Sequence, residues 1–346
     1  MNTHETMNDK TRIFGLDNIH YTCYLNSTLQ CLFTFKVFRE NLLKENSEDA
    51  DNDIIGALKT VITCETDAHR TKGLKQLIKS LMEKVSWFTF LQHNDVNEFI
   101  MLFFEQLNMV IYDMHKVKSK EYPLKLLKHD AKTMQGHFLN KAQKSWVLFV
   151  KNEHTWFNEL VTGQLVNQVI CGNCKKIHHN FETFRVLDIE IPDESELTID
   201  ACLSKYFSKH HINDDQDTKN KSDKWICDVC KHSSKSLKTC KLVRLPEMLV
   251  ISIKRFKYNE RTGSFLKNNA NVKISDVLDV DQYSVCNESD YQLMSFANHM
   301  GNMHGGHYNA TCKYDDKWSL FDDESVSKMK TYDDRNAYTI FYKKMG

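Results

Sequence analysis

Cys23 stands where a loop becomes a helix in the segment Gly15-Leu-Asp-Asn-Ile-His-Tyr-Thr-Cys-Tyr-Leu-Asn-Ser-Thr-Leu-Gln30. Asn18 favours a tight loop before it. After Cys23, apolar residues recur at helical spacing: Leu25, Leu29, Leu32 and Phe33. The unpaired N–H groups and the dipole of a helix N-terminus favour the thiolate form of a cysteine. Free cysteines are also among the most buried residues, so this segment alone does not separate a nucleophile from a core cysteine.

The composition is that of a globular protein with no dominant charge. The chain has 346 residues, of which 41% are apolar, and this length suits one elaborate domain or two smaller ones. Lys and Arg total 46, and Asp and Glu also total 46, so no net field attracts the chain to nucleic acid or to a membrane. We therefore expect neither kind of partner. We also expect the protein to be a monomer.

The cysteines are expected to be reduced. Their number, 11, is odd, and four of them form two Cys-x-x-Cys pairs. Residues 1–12 are polar and contain no apolar signal segment, and no apolar run is long enough to cross a bilayer. We therefore expect a cytoplasmic or nuclear protein in which residues 1–12 form a loose leader.

The pattern changes from helical to stranded along the chain. Amphipathic helices are predicted around residues 74–85 and 96–107, whereas residues 108–160 give no clear pattern. Short β-branched or aromatic runs then predict strands at 161–170, 184–191, 242–253 and 338–342. Residues 209–224 carry charges of both signs and are predicted to form a solvated loop. Helices followed by antiparallel strands indicate an α+β fold.

Two cysteine knuckles predict a structural zinc site: Cys171-Gly-Asn-Cys174 and Cys227-Asp-Val-Cys230. Each spacing allows two thiolates to bind one ion, and two such turns complete the tetrahedral ligand set of Zn²⁺. Four protein ligands leave no position for water, so the ion would be structural and would close a long loop. A redox pair and free thiols are the alternatives.

Histidines lie near these knuckles. With four thiolates present, we expect the neighbouring histidines to be solvated and not to bind the metal: His178, His179 and His232.

A second reactive segment follows Met303: His304-Gly-Gly-His-Tyr-Asn-Ala-Thr-Cys-Lys-Tyr314, then an acidic pair, then Lys317-Trp-Ser-Leu-Phe-Asp-Asp323. Alternating apolar residues around Asp315-Asp316 predict a β-hairpin. His307 lies on the first strand of the hairpin, which gives its side chain a defined direction. We therefore expect His307, and not His304, to act as a base.

The length of the hairpin loop decides which acid meets His307. With Asp315 and Asp316 as the loop, Asp322 is the diagonal neighbour of His307, at about 7–8 Å between Cα atoms. A loop one residue longer would place Asp323 there. Cys23, His307 and one of these acids together suit a thiol hydrolase.

These segments together resemble the catalytic core of a ubiquitin-specific protease, a papain-like deubiquitinase. The matching motifs occur in family order from about residue 13 to residue 344: GLDN…TCYLNSTLQCL, NDVNEF, CGNC…CDVC, LVRLPEMLVISIKRFKY, GGHYNA, WSLFDD and AYTIFYKK. The resemblance implies one catalytic domain over residues 13–346. Its parts would be a helical thumb at about 13–160, zinc-bearing fingers at about 161–245 and an antiparallel palm at about 246–346.

The resemblance also implies catalytic roles. Cys23 would attack the carbonyl after the C-terminal Gly-Gly of ubiquitin and form a thioester acyl-enzyme. His307 would accept the thiol proton and later protonate the leaving amine, while Asp322 holds the imidazole. Asn18 would donate to the oxyanion, and Asp323 would assist the same network.

Asp95 and Glu98 are implied to bind the arginine-bearing tail of ubiquitin. At i and i+3 of one predicted helix they are expected to face one surface, although a solvated helix face is the alternative for Glu98. Ubiquitin and ubiquitinated proteins are the implied partners. The alternatives are another diglycine modifier such as SUMO, NEDD8 or an interferon-induced modifier, an inactive ubiquitin-binding module, and a zinc-finger nucleic-acid binder.

The chain departs from the family pattern at two places. The family usually has Gly-Asn-Thr-Cys, whereas this chain has His20-Tyr21-Thr22-Cys23. The glutamine usually two residues before the acidic-box Asp95 is replaced by His93. Since glycine tolerates a positive φ, a histidine in its place is expected to strain the loop, narrow the diglycine channel, or add a polar group near the thiol.

Overall fold

The computed structural model describes residues 13–46, 53–116, 134–193, 197–213, 224–261, 263–285, 290–302 and 305–345. The expected leader at 1–12 and the alternative base His304 lie outside these residues. The chain divides into two units. The first unit comprises residues 1–99 and 294–333, and the second comprises residues 100–293 and 334–346.

Helices dominate the first part of the chain and strands the second. The helices are α1 (Cys23–Phe33), α2 (Lys36–Lys44), α3 (Ile54–Thr63), α4 (Asp67–Lys84), α5 (Val96–Lys116), α6 (Met134–Glu153), α7 (Trp156–Val161) and α8 (Ile199–Tyr206). The strands are β1 (Gly163–Ile170), β2 (Ile177–Phe184), β3 (Val186–Glu190), β4 (His210–Ile212), β5 (Ser236–Arg244), β6 (Met248–Lys254), β7 (Phe256–Asn259), β8 (Ser264–Lys267), β9 (Val277–Asp279), β10 (Asp290–Asn302), β11 (Gly305–Tyr314), β12 (Lys317–Asp322), β13 (Ser325–Met329) and β14 (Ala337–Lys344).

In the first unit, α1 is buried along its whole length and contacts β11 and β12. Strand β11 lies between β10 and β12, and β13 pairs with the far side of β12, all antiparallel. The predicted helices at 74–85 and 96–107 are confirmed as parts of α4 and α5. Because Cys23 begins α1 and His307 lies on β11, this packing brings the two residues together.

Side-chain caps fix where two helices of the first unit begin. The Asp53 carboxylate accepts a hydrogen bond from the N–H of Ile55 at the start of α3, and the Thr66 hydroxyl accepts one from His69 at the start of α4. Such caps satisfy N–H groups that have no partner within the helix. By contrast, the N-cap of α1, Thr22, makes no side-chain capping bond.

In the second unit, one antiparallel sheet has the strand order β2–β1–β5–β4. Ile170, the last residue of β1, pairs with both Ile177 and Leu237, so the two cysteine knuckles emerge at the same end of this sheet. Another set of strands surrounds β6, which pairs antiparallel with β14 and parallel with β3. The fold is therefore α+β, as predicted, with one parallel pair in the second unit.

Several predicted strands have different bounds. One strand over 242–253 is wrong, because β5 ends at Arg244 and β6 begins at Met248. Pro246 lies in the interruption and lacks the N–H that a strand ladder requires. Val161 ends α7, so β1 begins only at Gly163. The other two predicted strands are found as β3 and β14.

Two other segments differ from their predictions. Part of the predicted loop at 209–224 forms β4, while residues 214–223 lie outside the described ones. The segment 108–160, which gave no clear pattern, is helical where it is described, except at residues 154–155. Among the described helices, none combines the length and the apolar character needed to cross a bilayer.

Candidate active site and metal centre

The loop before Cys23 is closed by two hydrogen bonds. The N–H of Thr22 donates to Asn18 Oδ1 at 2.9 Å, and the N–H of Ile19 donates to Thr22 Oγ1 at 2.8 Å. Cys23 is the first residue of α1, as predicted, and is buried. The thiol therefore lies beside the first-turn N–H groups, which favour a negative charge.

His307 bonds to Asp322. Its Nε2 lies 2.5 Å from Asp322 Oδ1. The hairpin has the two-residue loop, since Tyr314 pairs with Lys317, and this register makes Asp322 the diagonal neighbour of His307. Of the two registers that the sequence allows, the structure contains the one with the shorter loop.

His307 also bonds to Cys23. That hydrogen bond is the largest cause that raises the pKa of His307 to about 9, and the Asp322 bond raises it further against the opposing effect of burial. Because Nε2 faces the carboxylate, Nδ1 is the nitrogen available to the thiol. A base held between a carboxylate and a thiol can remove and return a proton.

Asp323 contacts the other side of the site. Its Oδ2 accepts a hydrogen bond from Asn18 Nδ2 and its Oδ1 accepts one from Asn26 Nδ2, both at 2.7 Å. Burial raises the pKa of Asp323, and the two amide bonds oppose that rise, Asn26 more strongly than Asn18. The adjacent acids are thus divided: Asp322 holds the imidazole and Asp323 holds the amide of Asn18.

Asn26 was not identified from the sequence. Its Nδ2 also donates to the carbonyl oxygens of Leu16 and Asp17, so it ties the segment before the nucleophile to α1. Its position one turn after Cys23, on the same face of α1, is the signal that could have found it.

Two glycines allow close backbone contacts around the site. A Cβ on Gly15 would lie 2.2 Å from the carbonyl oxygen of Glu324, and Leu16 N–H bonds to the carbonyl of Asp323. A Cβ on Gly306 would lie 2.3 Å from His299 Nε2. The residue before His307 must therefore be glycine for β11 to lie where it does.

Asp95 and Glu98 differ from the expected geometry. Helix α5 begins at Val96, so Asp95 precedes it, and its Oδ1 caps the helix by accepting hydrogen bonds from the N–H groups of Asn97 and Glu98. Its Oδ2 accepts the hydroxyl of Tyr308 at 3.4 Å. The Glu98 residue is exposed on the first turn. The two acids therefore have different environments.

The four predicted ligand cysteines meet in one cluster in the second unit. Their sulfurs lie within 4.8 Å of one another, with Cys171 and Cys230 at 3.8 Å and Cys174 and Cys227 at 3.7 Å. Zn–S bonds of about 2.3 Å in a tetrahedron give S–S edges of about 3.8 Å. The spacing therefore fits one zinc ion held by four thiolates.

The two knuckles have the same backbone form. The N–H of Lys175 donates to the carbonyl of Cys171, and the N–H of Lys231 donates to the carbonyl of Cys227. Hydrogen bonds from the side chain of Asn173 and then from the backbone of His232 lower the pKa of Cys230 to about 5. A lowered pKa favours the thiolate, which is the form that binds metal.

His178 is not simply solvated, so that expectation is wrong for this residue. Its Nε2 lies 3.3 Å from Cys227 Sγ and its Nδ1 lies 3.1 Å from Asp228 Oδ1. The ring also packs edge-on against Trp225. His178 could thus support Cys227 from outside the cluster if the four cysteines hold a metal. His232 also has a partner, since its Nδ1 lies 2.5 Å from the carbonyl oxygen of Cys230.

The chain matches a known protein family over nearly its whole length. The family described as "Ubiquitin carboxyl-terminal hydrolase" matches residues 14–342. Ubiquitin carboxyl-terminal hydrolase 4 of Arabidopsis thaliana is 28% identical over 91% of this chain and 85% of its own length. Ubiquitin carboxyl-terminal hydrolase 12 of Salmo salar is 26% identical over 95% of this chain and 84% of its own length.

Solved structures share the fold. The SAGA DUB module bound to monoubiquitin contains a chain that matches 96% of this one with a TM-score of 0.76 and 19% identity, over 69% of its own length. The same module bound to ubiquitin aldehyde gives a TM-score of 0.75 at 20% identity, covering 99% of this chain and 71% of that one. With the family match over nearly the whole chain, the protein belongs to the ubiquitin carboxyl-terminal hydrolase family as a ubiquitin-specific protease catalytic core, and it is a cysteine-type deubiquitinating peptidase.

Proposed function

We propose that the protein hydrolyses the bond after the C-terminal Gly-Gly of ubiquitin through a triad of Cys23, His307 and Asp322. The observation that carries the proposal is the position of His307, which bonds to Cys23 on one side and to Asp322 at 2.5 Å on the other. A nucleophile, a base and an orienting acid in this sequence of contacts suit acyl transfer.

The first half of the reaction forms an acyl-enzyme. The Cys23 sulfur attacks the carbonyl carbon, and His307 takes the thiol proton at Nδ1. The oxyanion is stabilised by Asn18 and by N–H groups at the start of α1. Since an amide NH₂ has two donors, Asn18 can donate one hydrogen to Asp323 and the other to the oxyanion. The imidazolium then protonates the leaving amine, and a thioester remains.

The second half returns the enzyme to its starting state. His307 removes a proton from water, and the resulting hydroxide attacks the thioester carbonyl. Collapse of the second tetrahedral intermediate releases the ubiquitin carboxylic acid, which loses its proton to solvent, and the Cys23 sulfur, which regains its proton from the imidazolium. Asp322 keeps the imidazole oriented in both halves.

Ubiquitin is the modifier we favour. The family match and the ubiquitin-bound state of the similar SAGA DUB module support it. Glu98 offers an exposed carboxylate to the arginine-bearing tail. Asp95 already caps α5 and accepts the hydroxyl of Tyr308. We therefore propose that it holds the backbone of the tail-binding site in place as well as contributing a negative charge.

We further propose that Zn²⁺ is bound by Cys171, Cys174, Cys227 and Cys230. The spacing of the four sulfurs supports this set. When bound, the ion would crosslink the two knuckles at the end of the β1–β5 pair and stabilise the folded state. The thumb, fingers and palm bounds given above, the monomeric state and a cytoplasmic or nuclear location also remain our proposals.

Ubiquitin with a C-terminal electrophile tests the catalytic proposal. Wild-type protein should form a covalent adduct, and Cys23→Ala should form none. Cys31→Ala is the matched control, because Cys31 is a second buried cysteine on α1, and it should be labelled like wild type. Adduct formation that persists in Cys23→Ala, or that occurs only with SUMO or NEDD8 probes, would contradict the proposal.

A further inference from the structure

His20 and Tyr21, where the sequence departs from the family pattern, have unusual backbone conformations. His20 has a φ of 51° and Tyr21 a φ of 64°, and neither is glycine. Left-handed conformations are unfavourable for residues with a Cβ and persist only where the surrounding structure imposes them. The strain lies immediately before the nucleophile, because Tyr21 is followed by Thr22 and Cys23. Some contact must therefore hold this loop in place.

One such contact joins both departures from the family pattern. The ring of Tyr21 packs against the ring of His93, with centroids 4.4 Å apart and planes inclined by 48°. Tyr21 is 53% exposed, so burial in the core does not fix it. The left-handed backbone of Tyr21 directs its ring to a partner on a different segment.

His93 is carried by a segment that is itself fixed. The side chain of the next residue, Asn94, donates to the carbonyl oxygens of Thr89 and Gln92. Asp95 then caps α5 and accepts the hydroxyl of Tyr308. His93 therefore offers a ring on a well-anchored turn, and that turn is joined through Asp95 to the strand of His307.

We propose that the Tyr21–His93 contact is a clamp that holds the strained loop and positions Cys23 and Asn18 for attack. The proposal rests on the thiol catalysis proposed above and adds two positioning residues to it. Neither ring exchanges a proton in this role. Its effect passes through the Asn18–Thr22 hydrogen bond and the start of α1.

Loss of either ring should lower kcat. Without the clamp, His20 and Tyr21 can leave the left-handed region, and the thiol and the Asn18 amide lose their alignment. An aromatic pair of this kind corresponds to about a 2- to 10-fold effect. We therefore expect Tyr21→Ala and His93→Ala each to lower kcat by about this factor, with KM nearly unchanged.

The two rings should act as a unit. The double variant should lose no more kcat than either single variant, because each substitution already removes the whole contact. Tyr21→Phe and His93→Phe keep a ring and should retain kcat. His20→Gly in the Tyr21→Ala background should recover part of the loss, since glycine adopts a positive φ without strain.

The experiment measures kcat and KM with a fluorogenic ubiquitin amide, together with the alkylation rate of Cys23 by iodoacetamide followed by mass spectrometry. Alkylation needs no ubiquitin, so it tests the clamp even if the protein fails to cleave ubiquitin. The control is Trp87→Ala, which removes another exposed ring of the first unit. Unchanged kcat and alkylation in Tyr21→Ala, or strictly additive losses in the double variant, would overturn the proposal.

Discussion

The side-chain amide of Asn18 donates to the carboxylate of Asp323 at 2.7 Å. The same carboxylate accepts a second amide, from Asn26 on α1. Asp323 therefore joins the loop before Cys23 to the helix that begins with Cys23. Asp323, which follows the proposed triad acid Asp322, thus orients the proposed oxyanion donor Asn18. These bonds do not join it to the imidazole.

Asp323→Ala should lower kcat and leave the pKa of His307 nearly unchanged. Removal of an oxyanion donor costs about 10²- to 10³-fold in kcat, and a misoriented Asn18 should lose part of that, about 10- to 100-fold. Asp322→Ala should also lower kcat, but in addition it should lower the pKa of His307, because it removes a bond that raises it. Steady-state kinetics and an NMR titration of His307 separate the two variants.

Asp316→Ala is the control for these two substitutions. Asp316 lies at the turn of the same hairpin, is exposed, and pairs with Lys313. Its replacement should leave both kcat and the His307 titration unchanged. If Asp323→Ala lowered the pKa of His307 as much as Asp322→Ala does, the division of roles between the two acids would be wrong.

Stability should depend on pH through His307. Its folded pKa, about 9, lies above the unfolded value of about 6.5, so the folded state binds the proton more tightly. The contribution is fully present below about pH 6.5 and is lost as the pH rises through about 9. Urea unfolding of wild type and His307→Asn should therefore differ most below about pH 6.5 and least above about pH 9.

Cys23→Ala tests the cause of that pKa. The Cys23 bond is the largest cause of the raised pKa, so its removal should move the His307 titration toward its ordinary value. Cys31→Ala removes a thiol elsewhere on α1 and should not move it. An unshifted titration in Cys23→Ala would show that the thiol is not the main partner of the imidazole.

The sequence predicted those features that depend on local pattern. The turn residues Asp315 and Asp316 predicted a hairpin there, and the two-residue loop found in the structure pairs His307 with Asp322. The cysteine spacing likewise predicted the cluster in the second unit. Both features follow from short segments whose geometry is nearly fixed by residue type.

Several contacts between distant segments were not predicted. The hydrogen bonds from Asn18 and Asn26 to Asp323 join residues about 300 positions apart, and no local period encodes them. The pairing of Tyr21 with His93 is of the same kind. The prediction of one strand over residues 242–253 was wrong for another reason. It followed the apolar run and disregarded Pro246, a local signal that ends a strand.

His178 should slow the loss of zinc. Its imidazole bonds to Cys227 and is held by Asp228, and outer partners of this kind affect metal affinity by about 10- to 100-fold. Protein purified with zinc should therefore transfer the ion to a chromophoric chelator at least several times faster in His178→Ala, whereas Cys174→Ser should retain little zinc.

His179→Ala is the matched control for the metal site. It is the next residue on β2, but its ring packs on Phe138 and Phe181. Its zinc release should match wild type. Equal rates of zinc release from His178→Ala and His179→Ala would contradict the supporting role of His178. An absence of zinc in the wild-type protein would contradict the metal site itself.

Gly306→Ala should disable catalysis without unfolding the protein. The added Cβ would lie 2.3 Å from His299 Nε2 and 2.7 Å from the carbonyl oxygen of Met300, both on β10. Because the second contact is with backbone, a side-chain rotation cannot relieve it, and β11 must move away from β10. A displacement of about 1 Å at a reacting group can cost about 100-fold in rate.

Gly305→Ala provides a control at the neighbouring position. A Cβ on Gly305 would meet nothing within 4 Å, so this variant has the same change of residue type and the same strand but no clash. Hydrolysis of ubiquitin amide should fall by about two orders of magnitude in Gly306→Ala and remain near wild type in Gly305→Ala. Circular dichroism should show both variants folded. Equal activity in the two variants would mean that β11 can shift without moving His307 from Cys23, so that β11 does not hold the base rigidly.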